Sequence, residues 1–450
     1  MNKLEKYSNH FILKLGIFIV MFIGWLIPYL NKDNFMMPEV VGQVLVGVIA
    51  CGCLICFKNT FLVLEIVLLF PFMFSRGLTL YTIPIQVYIL VPMIVLAFIM
   101  HIIIYKQKLS VPLFIVGITA ICISLFLGGI LTSYDDKLIK TLLLFVIGLA
   151  LLFVYVFFSS TVKTSFYDLA YVMNLLGVFL ILQVAVYGII NIDIFLLGKT
   201  IETGWASNSN NIAMMLLFTF PFSFYLGYKE TKIKKWFYYG LSYLTLIAII
   251  FSYSRGSMAS AFVAFLLMMF VLIILKESRK ETLKYVGVGI LLLVATVLGI
   301  YVVKPEIITS AVKQITKVNL DNLNGRTPIY KEVAKKYLEQ PIFGHGIYSA
   351  YTSETFYAWS HNTFLEAAST LGTVGLLALV IHHVEKYLFC FKKFSVEKVI
   401  LLFGFLATDI YGFFDVSYFF INFVIVLMFV LISCNSIYNS KELELEDDYT

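Results

Sequence analysis

The chain has 450 residues, 60% of them hydrophobic and 13% charged, with a formal net charge of +6. Soluble globular domains carry about 25% charged residues, which excludes a soluble fold. Apolar runs of roughly 20 residues recur from end to end, the length of membrane-crossing helices, and exclude a β-barrel, whose strands would read as short alternating segments. The expected class is an all-α polytopic integral membrane protein.

The first run, Phe11–Leu30, follows Lys3 and Lys6. It lacks a small-residue cleavage site and outlasts a signal-peptide core, so it reads as a retained span. About fourteen spans are expected, near 11–30, 39–57, 60–75, 83–104, 111–131, 139–158, 166–190, 210–228, 235–251, 257–275, 284–303, 363–384, 399–414 and 417–434. The third is short and carries Glu65. All six cysteines fall in or beside apolar runs, and the Cys53/Cys56 pair lacks a second ligand pair; they read as packing residues.

Lysine and arginine mark the inner segments of a membrane protein. With the N-terminus inside, those segments hold Lys58, Lys106, Lys108, Lys163, Lys229, Lys232, Lys234, Lys235, Lys276, Arg279, Lys280, Lys284, Lys386, Lys392, Lys393 and Lys398. The short outer connections hold only Lys32, Arg76, Lys137, Lys140, Lys199 and Arg255. Both termini are therefore expected in the cytoplasm. The organisation reads as a bundle of eleven spans (1–303), a large outer loop with two short helices (304–360), three further spans (361–434) and an acidic cytoplasmic tail (435–450).

Three outer connections carry polar signals. Asn191–Asn211 ends in Gly204-Trp205-Ala206-Ser207-Asn208-Ser209-Asn210-Asn211 before an apolar run. Its asparagines can cap the helix, or they can hydrogen-bond sugar hydroxyls with Trp205 as a stacking face. The second connection, Ser252-Tyr253-Ser254-Arg255-Gly256, is so short that Arg255 must lie at or just inside the membrane surface. Arginine at depth costs about 2.5–3.5 kcal/mol and calls for a partner or an anionic ligand; its planar fork suits phosphate, and snorkelling to lipid headgroups is the alternative.

The third is the long loop. Ile307, Ile308, Ala311, Val312 and Ile315 recur at helical spacing in 305–318, suiting a helix on the membrane or bundle surface. A second helix is expected from Thr327-Pro328 to Gln340-Pro341, with Arg326 just before it, where N–H groups and the helix dipole favour an anion. Gly344-His345-Gly346 permits a sharp turn, and Ser360-His361-Asn362 opens the next span. A histidine at an outward helix start can be neutral at pH 7 and act as a base. His361 shares this face with Arg255 and Arg326. His10, His101, His382 and His383 read as interfacial residues.

There is no nucleotide-binding fingerprint, and no carboxylate cluster to hold a catalytic metal: Asp135-Asp136 lacks a third ligand. Asp409 and Asp415 flank a short outer turn, with either a structural or a substrate-hydroxyl role open to them. The residue set, two arginines and a base, points to a pre-activated anionic donor.

In this order and spacing the motifs resemble the O-antigen ligase/polymerase superfamily from about residue 200 to 385. The residues that carry the resemblance are Ser252-Tyr-Ser-Arg255-Gly256, Asn324-Gly-Arg326, Gln340-Pro-Ile-Phe-Gly344-His-Gly346, Ser360-His361-Asn362-Thr-Phe-Leu and Leu371-Gly372-Thr-Val-Gly375-Leu. Where a glutamate is often expected before the Leu-Gly pair, this chain has Thr370, with Glu366 one turn earlier. The family implies a GT-C-like architecture and a glycosyl transfer without metal or cofactor, on the outer face of the cytoplasmic membrane, from an undecaprenyl-pyrophosphate-linked oligosaccharide. It implies His361 as base, with Arg255 and Arg326 at the pyrophosphate. Asn362, Trp205, Asn211, Ser254, His345 and Glu366 complete the expected substrate contacts. Partners would be the lipid-linked donor, the bilayer, a chain-length regulator and a flippase; nucleic acid is not among them. A Wzy-type repeat-unit polymerase is the first expectation, on a Lys-, Asn- and Ile-rich composition that suggests an envelope without a lipid A core. A ligase moving the finished glycan to another acceptor is the alternative. A lipid-linked oligosaccharide flippase is the third, and it would be expected to place its cations within the spans.

Overall fold

The computed structural model describes residues 11–31, 36–75, 85–132, 137–193, 200–206, 208–303, 305, 309, 312, 326–347 and 360–447. In chain order the helices are α1 (Phe11–Leu30), α2 (Met36–Cys56), α3 (Phe61–Leu69), α4 (Ile85–Tyr105), α5 (Ile115–Leu131), α6 (Lys137–Thr161), α7 (Phe166–Ile190) and α8 (Ser209–Lys229). They continue with α9 (Lys232–Phe251), α10 (Arg255–Ile274), α11 (Arg279–Val303), α12 (Arg326–Glu339), α13 (Thr363–Phe391), α14 (Val396–Tyr411) and α15 (Ile421–Asp447). A 3-10 turn, Phe70–Met73, extends α3, and no strand occurs among the described residues. Each of the fourteen expected spans coincides with one helix. Among the described residues, nine of these helices are long and apolar enough to cross a membrane. The chain is thus an all-α, multi-pass membrane protein. The expected surface helix at 305–318 lies outside the described residues. The expected loop helix is α12, with Arg326 as its first described residue.

The chain divides into two compact units, one of residues 1–112, 156–253 and 422–450, the other of 113–155 and 254–421. In the first unit α8 packs between α7 and α9. Its run from Ile212 to Leu226 is buried throughout and carries Thr219 and Ser223 among the apolar residues. Asn208 caps α8 by accepting the Asn211 N–H at 3.1 Å. Glu65, the odd charge of the third span, is fully buried in the short α3.

In the second unit α13 packs on α5, α12 and α14, and α10 packs on α14. α13 is broken at Gly372, whose φ of 65° is left-handed. A break frees backbone groups that hydrocarbon cannot satisfy. Here the segment after α12 satisfies them. His345 N–H donates to Ser369 O at 2.9 Å and Gly346 N–H to Thr370 O at 2.7 Å, while Thr373 N–H donates to Pro341 O at 2.8 Å and Val374 N–H to Ile342 O at 3.1 Å. Gly344 (φ 66°) and Gly372 are the contact point: a Cβ on Gly344 would stand 2.6 Å from Gly372 N, and one on Gly372 would meet the Ile342 carbonyl. The Tyr337 hydroxyl and the Thr373 hydroxyl, 2.9 Å apart, add a side-chain tie. The loop helix is thereby fastened to a span at its C-terminal end.

Candidate active site

Four consecutive residues after α14 each hold a residue from elsewhere in the second unit. Gly412 O accepts the Thr363 N–H at 2.7 Å. Phe413 O accepts from Asn362 Nδ2 at 3.2 Å. Phe414 O accepts from Arg326 Nη1. The Asp415 carboxylate meets His361 Nδ1 at 3.1 Å. One short turn thus gathers the candidate base and a candidate phosphate-binding arginine.

His361 precedes α13 with a φ of 51°. A non-glycine residue in the left-handed region costs on the order of 1–3 kcal/mol, and such residues concentrate at functional sites. Asn362 offsets part of the cost by capping α13: its Oδ1 accepts the N–H groups of Phe364 at 2.9 Å and Leu365 at 3.0 Å. An ionised Asp415 can only accept, so Nδ1 is the donor, and in the neutral imidazole the lone pair is then on Nε2. The His361 side chain is 32% exposed, open enough to meet a substrate.

Asp415 is largely buried (12% exposed), and burial by itself would raise its pKa. The hydrogen bond and charge of His361, the Val416 N–H and the charge of Arg326 outweigh that and hold it below the ordinary aspartate value. Asp415 therefore stays ionised, an acceptor that fixes the imidazole. The Tyr411 hydroxyl bonds to Asp415 and to Ser257, and the Ser257 hydroxyl accepts from Ser254 at 2.9 Å. Ser254 thus stands on a hydroxyl chain leading to the acid.

Arg255 is the first residue of α10 and is exposed. Its neighbour Gly256 lies against the same turn, where a Cβ would sit 2.6 Å from Phe414 Cβ. α10 can start there only because residue 256 has no side chain. Arg326 reaches the Phe414 carbonyl from α12, and Gly256, the neighbour of Arg255, meets Phe414 from α10.

The other sequence candidates occupy distinct places. Glu366 is 3% exposed, and its Oε2 accepts the Ser360 N–H at 2.9 Å; the acid on His361 Nδ1 is Asp415. His345 contacts the Lys336 carbonyl through Nε2 at 2.9 Å and belongs to the interlock with α13. Trp205 and Asn211 are in the first unit. Trp205 is 9% exposed, donates from Nε1 to Gln183 Oε1 at 2.9 Å and meets Phe72 edge-on at 4.7 Å between centroids. Asn211 stands in the first turn of α8, with its N–H on the Asn208 cap.

Several expectations are corrected: His101 is fully buried, and Lys386, expected in an inner connection, is fully buried within α13. His382 and His383 are not interfacial, because α13 continues to Phe391 and keeps them inside the unit. His382 is 1% exposed. His383 Nε2 lies 3.4 Å from Asp409 Oδ1. Asp409 also holds the fully buried Lys386 at 3.2 Å, the Tyr387 hydroxyl at 2.6 Å and the Tyr418 hydroxyl at 3.0 Å. Of the two aspartates expected to flank an outer turn, Asp409 lies within α14 and faces the buried lysine, while Asp415 follows the helix and faces the base. Among the described residues no cluster of three or more His, Cys, Asp or Glu stands close enough to hold a metal ion.

Fold and site define a polytopic helical membrane protein with a histidine–aspartate pair and arginines at one end of a span. A family model described as O-antigen ligase matches residues 240–380 and places that segment in the O-antigen ligase/polymerase superfamily. The match takes in Arg255, Arg326 and His361 and ends before Asp415. No curated protein matches the chain.

Proposed function

We propose that the protein transfers a glycan from undecaprenyl pyrophosphate to an acceptor sugar hydroxyl on the outer face of the cytoplasmic membrane, without metal. The observation that carries this is the convergence of His361–Asp415 and Arg326 on the 412–415 turn. His361 Nε2 takes the acceptor proton as the hydroxyl oxygen attacks the anomeric carbon. The bond from that carbon to the pyrophosphate oxygen breaks, and the electron pair leaves with the lipid pyrophosphate. Arg326 and Arg255 meet the charge that grows on the leaving group, where fixed cations are most effective. A positioned base contributes about 10²–10⁴-fold.

The acceptor we propose is a second lipid-linked repeat unit, which makes the protein a Wzy-type polymerase of capsule, exopolysaccharide or O-antigen. Transfer to a different acceptor is the second reading, favoured by the family description itself. Purified protein given synthetic undecaprenyl-pyrophosphate repeat units separates the two. A ladder of lengthening glycans supports the polymerase. A single transfer to an added acceptor replaces it with the ligase, and no transfer to either overturns glycosyl transfer altogether.

A further inference from the structure

The segment from Gly412 to Phe420, between α14 and α15, carries the Asp415 partner of His361. It is pinned at a second place, deep in the helices. The Tyr418 hydroxyl lies against Lys386 Nζ and donates to Asp409 Oδ1 at 3.0 Å. Lys386 has no exposed surface and spans 3.2 Å to Asp409 Oδ2. Tyr387 closes the other side of Asp409 at 2.6 Å. Between the two pins, the Ser417 N–H donates to the Thr363 hydroxyl at 2.9 Å, and that hydroxyl lies 3.2 Å from the Asp415 carbonyl. Asp415 and Tyr418 are three residues apart, so a shift at one end reaches the other.

A buried lysine–aspartate pair is a poor source of stability, because desolvation offsets much of its attraction; fixing register is its best attested use. Ionisable groups inside spans are costly and are retained for a purpose. Here the pair grips the one segment that orients the candidate base, and it lies outside the residues that could touch substrate through the 412–415 turn. We infer that Lys386, Asp409 and Tyr418 are positioning residues: the buried ion pair holds the Tyr418 hydroxyl, and through it the register of the segment that presents Asp415 to His361. The inference rests on the glycosyl-transfer reading for its catalytic meaning, though its geometry can be tested without turnover.

His361 faces Asp415 from this segment and Glu366 from α13, with Arg326 and Lys336 of α12 beside those two carboxylates. Loosening Asp415 removes support for the imidazolium, so His361 should protonate at lower pH. Two variants test this: Tyr418→Phe, which keeps the ring and removes the hydroxyl, and Lys386→Met/Asp409→Leu, which removes the pair without stranding a buried charge. Diethyl pyrocarbonate labelling of His361, followed by mass spectrometry across pH, reads the imidazole directly. Both variants should move the labelling midpoint down by about half a pH unit or more. They should also lower kcat at unchanged KM for the lipid-linked donor and move the acid limb of the pH–rate profile the same way. Combined with Asp415→Asn, Tyr418→Phe should add little further loss, because residues acting through one another are not additive. A midpoint and kcat equal to wild type in both variants overturn the inference, as does a loss confined to protein amount. Full multiplication of the Tyr418 and Asp415 effects overturns it too. If the wild type transfers no glycan while the midpoint still shifts, the functional reading fails and the positioning role stands.

Discussion

Asp415 lies fifty-four residues beyond His361 in sequence and 3.1 Å from its Nδ1 in space. The pair joins the start of α13 to the end of α14, with the lone pair of the imidazole left on Nε2. A histidine whose Nδ1 is held by an ionised acid is arranged to receive a proton at Nε2, and each member of the arrangement can be tested separately.

His361→Ala should reduce glycan transfer by about 10²-fold or more, the contribution of a positioned base, while the amount of protein in membranes stays at the wild-type level. Polymer length and yield in a strain lacking the native copy provide the measurement. Wild-type polymer from the alanine variant would remove His361 from the role of base.

Asp415→Asn should lower kcat by at least about tenfold, since an amide no longer selects the Nδ1–H tautomer. It also has a stability signature. The folded-state pKa of Asp415 is depressed, so its contribution is complete above the ordinary aspartate value of about 4 and is lost as pH falls through the lowered value. The variant should melt below wild type at pH 7, and the gap should narrow on acidification. Melting in detergent at pH 7 and pH 3 checks the sign.

Arg326→Lys should reduce kcat/KM by about tenfold, because lysine is a point charge without the fork that can grip the Phe414 carbonyl and a phosphate together. Full activity in this variant would argue against bidentate recognition. Arg326→Ala should cost more than the lysine variant, and the lipid-linked donor should show the weakening in its KM as well as in kcat.

Gly344→Ala and Gly372→Ala should each destabilise the protein by about 1–3 kcal/mol or more, since each adds a Cβ where backbone already lies and strains a left-handed residue. Both should lower the melting temperature in detergent without a specific effect on the pH–rate profile of the molecules that remain folded. That last feature separates them from the Tyr418 variants.

A single cysteine in place of the exposed Lys335 on α12 reports orientation. Membrane-impermeant maleimide applied to intact cells should label it. Protection there, with labelling only after lysis, would invert the proposed topology.

The helices are legible because the length of an apolar run is a local property: each of the fourteen expected segments coincides with a helix, and among the described residues nine are long and apolar enough to cross a membrane. The stop of α12 at Gln340-Pro341 was equally local. Gly344-His345-Gly346 could be read as a turn, but its partner Gly372 lies 28 positions on, and backbone pairing at that range leaves no periodic trace. The acid for His361 was hidden for the same reason. Glu366 is nearer in sequence yet turns to the Ser360 N–H, while Asp415 arrives from another helix. Trp205 looked available for a sugar because it stands among asparagines, and Gln183 and Phe72, which enclose it, come from distant segments. His382 and His383 were misplaced by a boundary error: a helix two turns longer than its apolar run carried them into the interior.

The break in α13 falls at its tenth residue, about 14 Å from the start of the helix at 1.5 Å per residue. Carbonyls and N–H groups left bare at such a break would go unpaired in any apolar surrounding. The chain that covers them, Pro341 to Gly346, leaves the ribosome before the break does. When Gly372 is made, its cover is already present in the same polypeptide, so the pairing of the break needs only chain that has been synthesised before it.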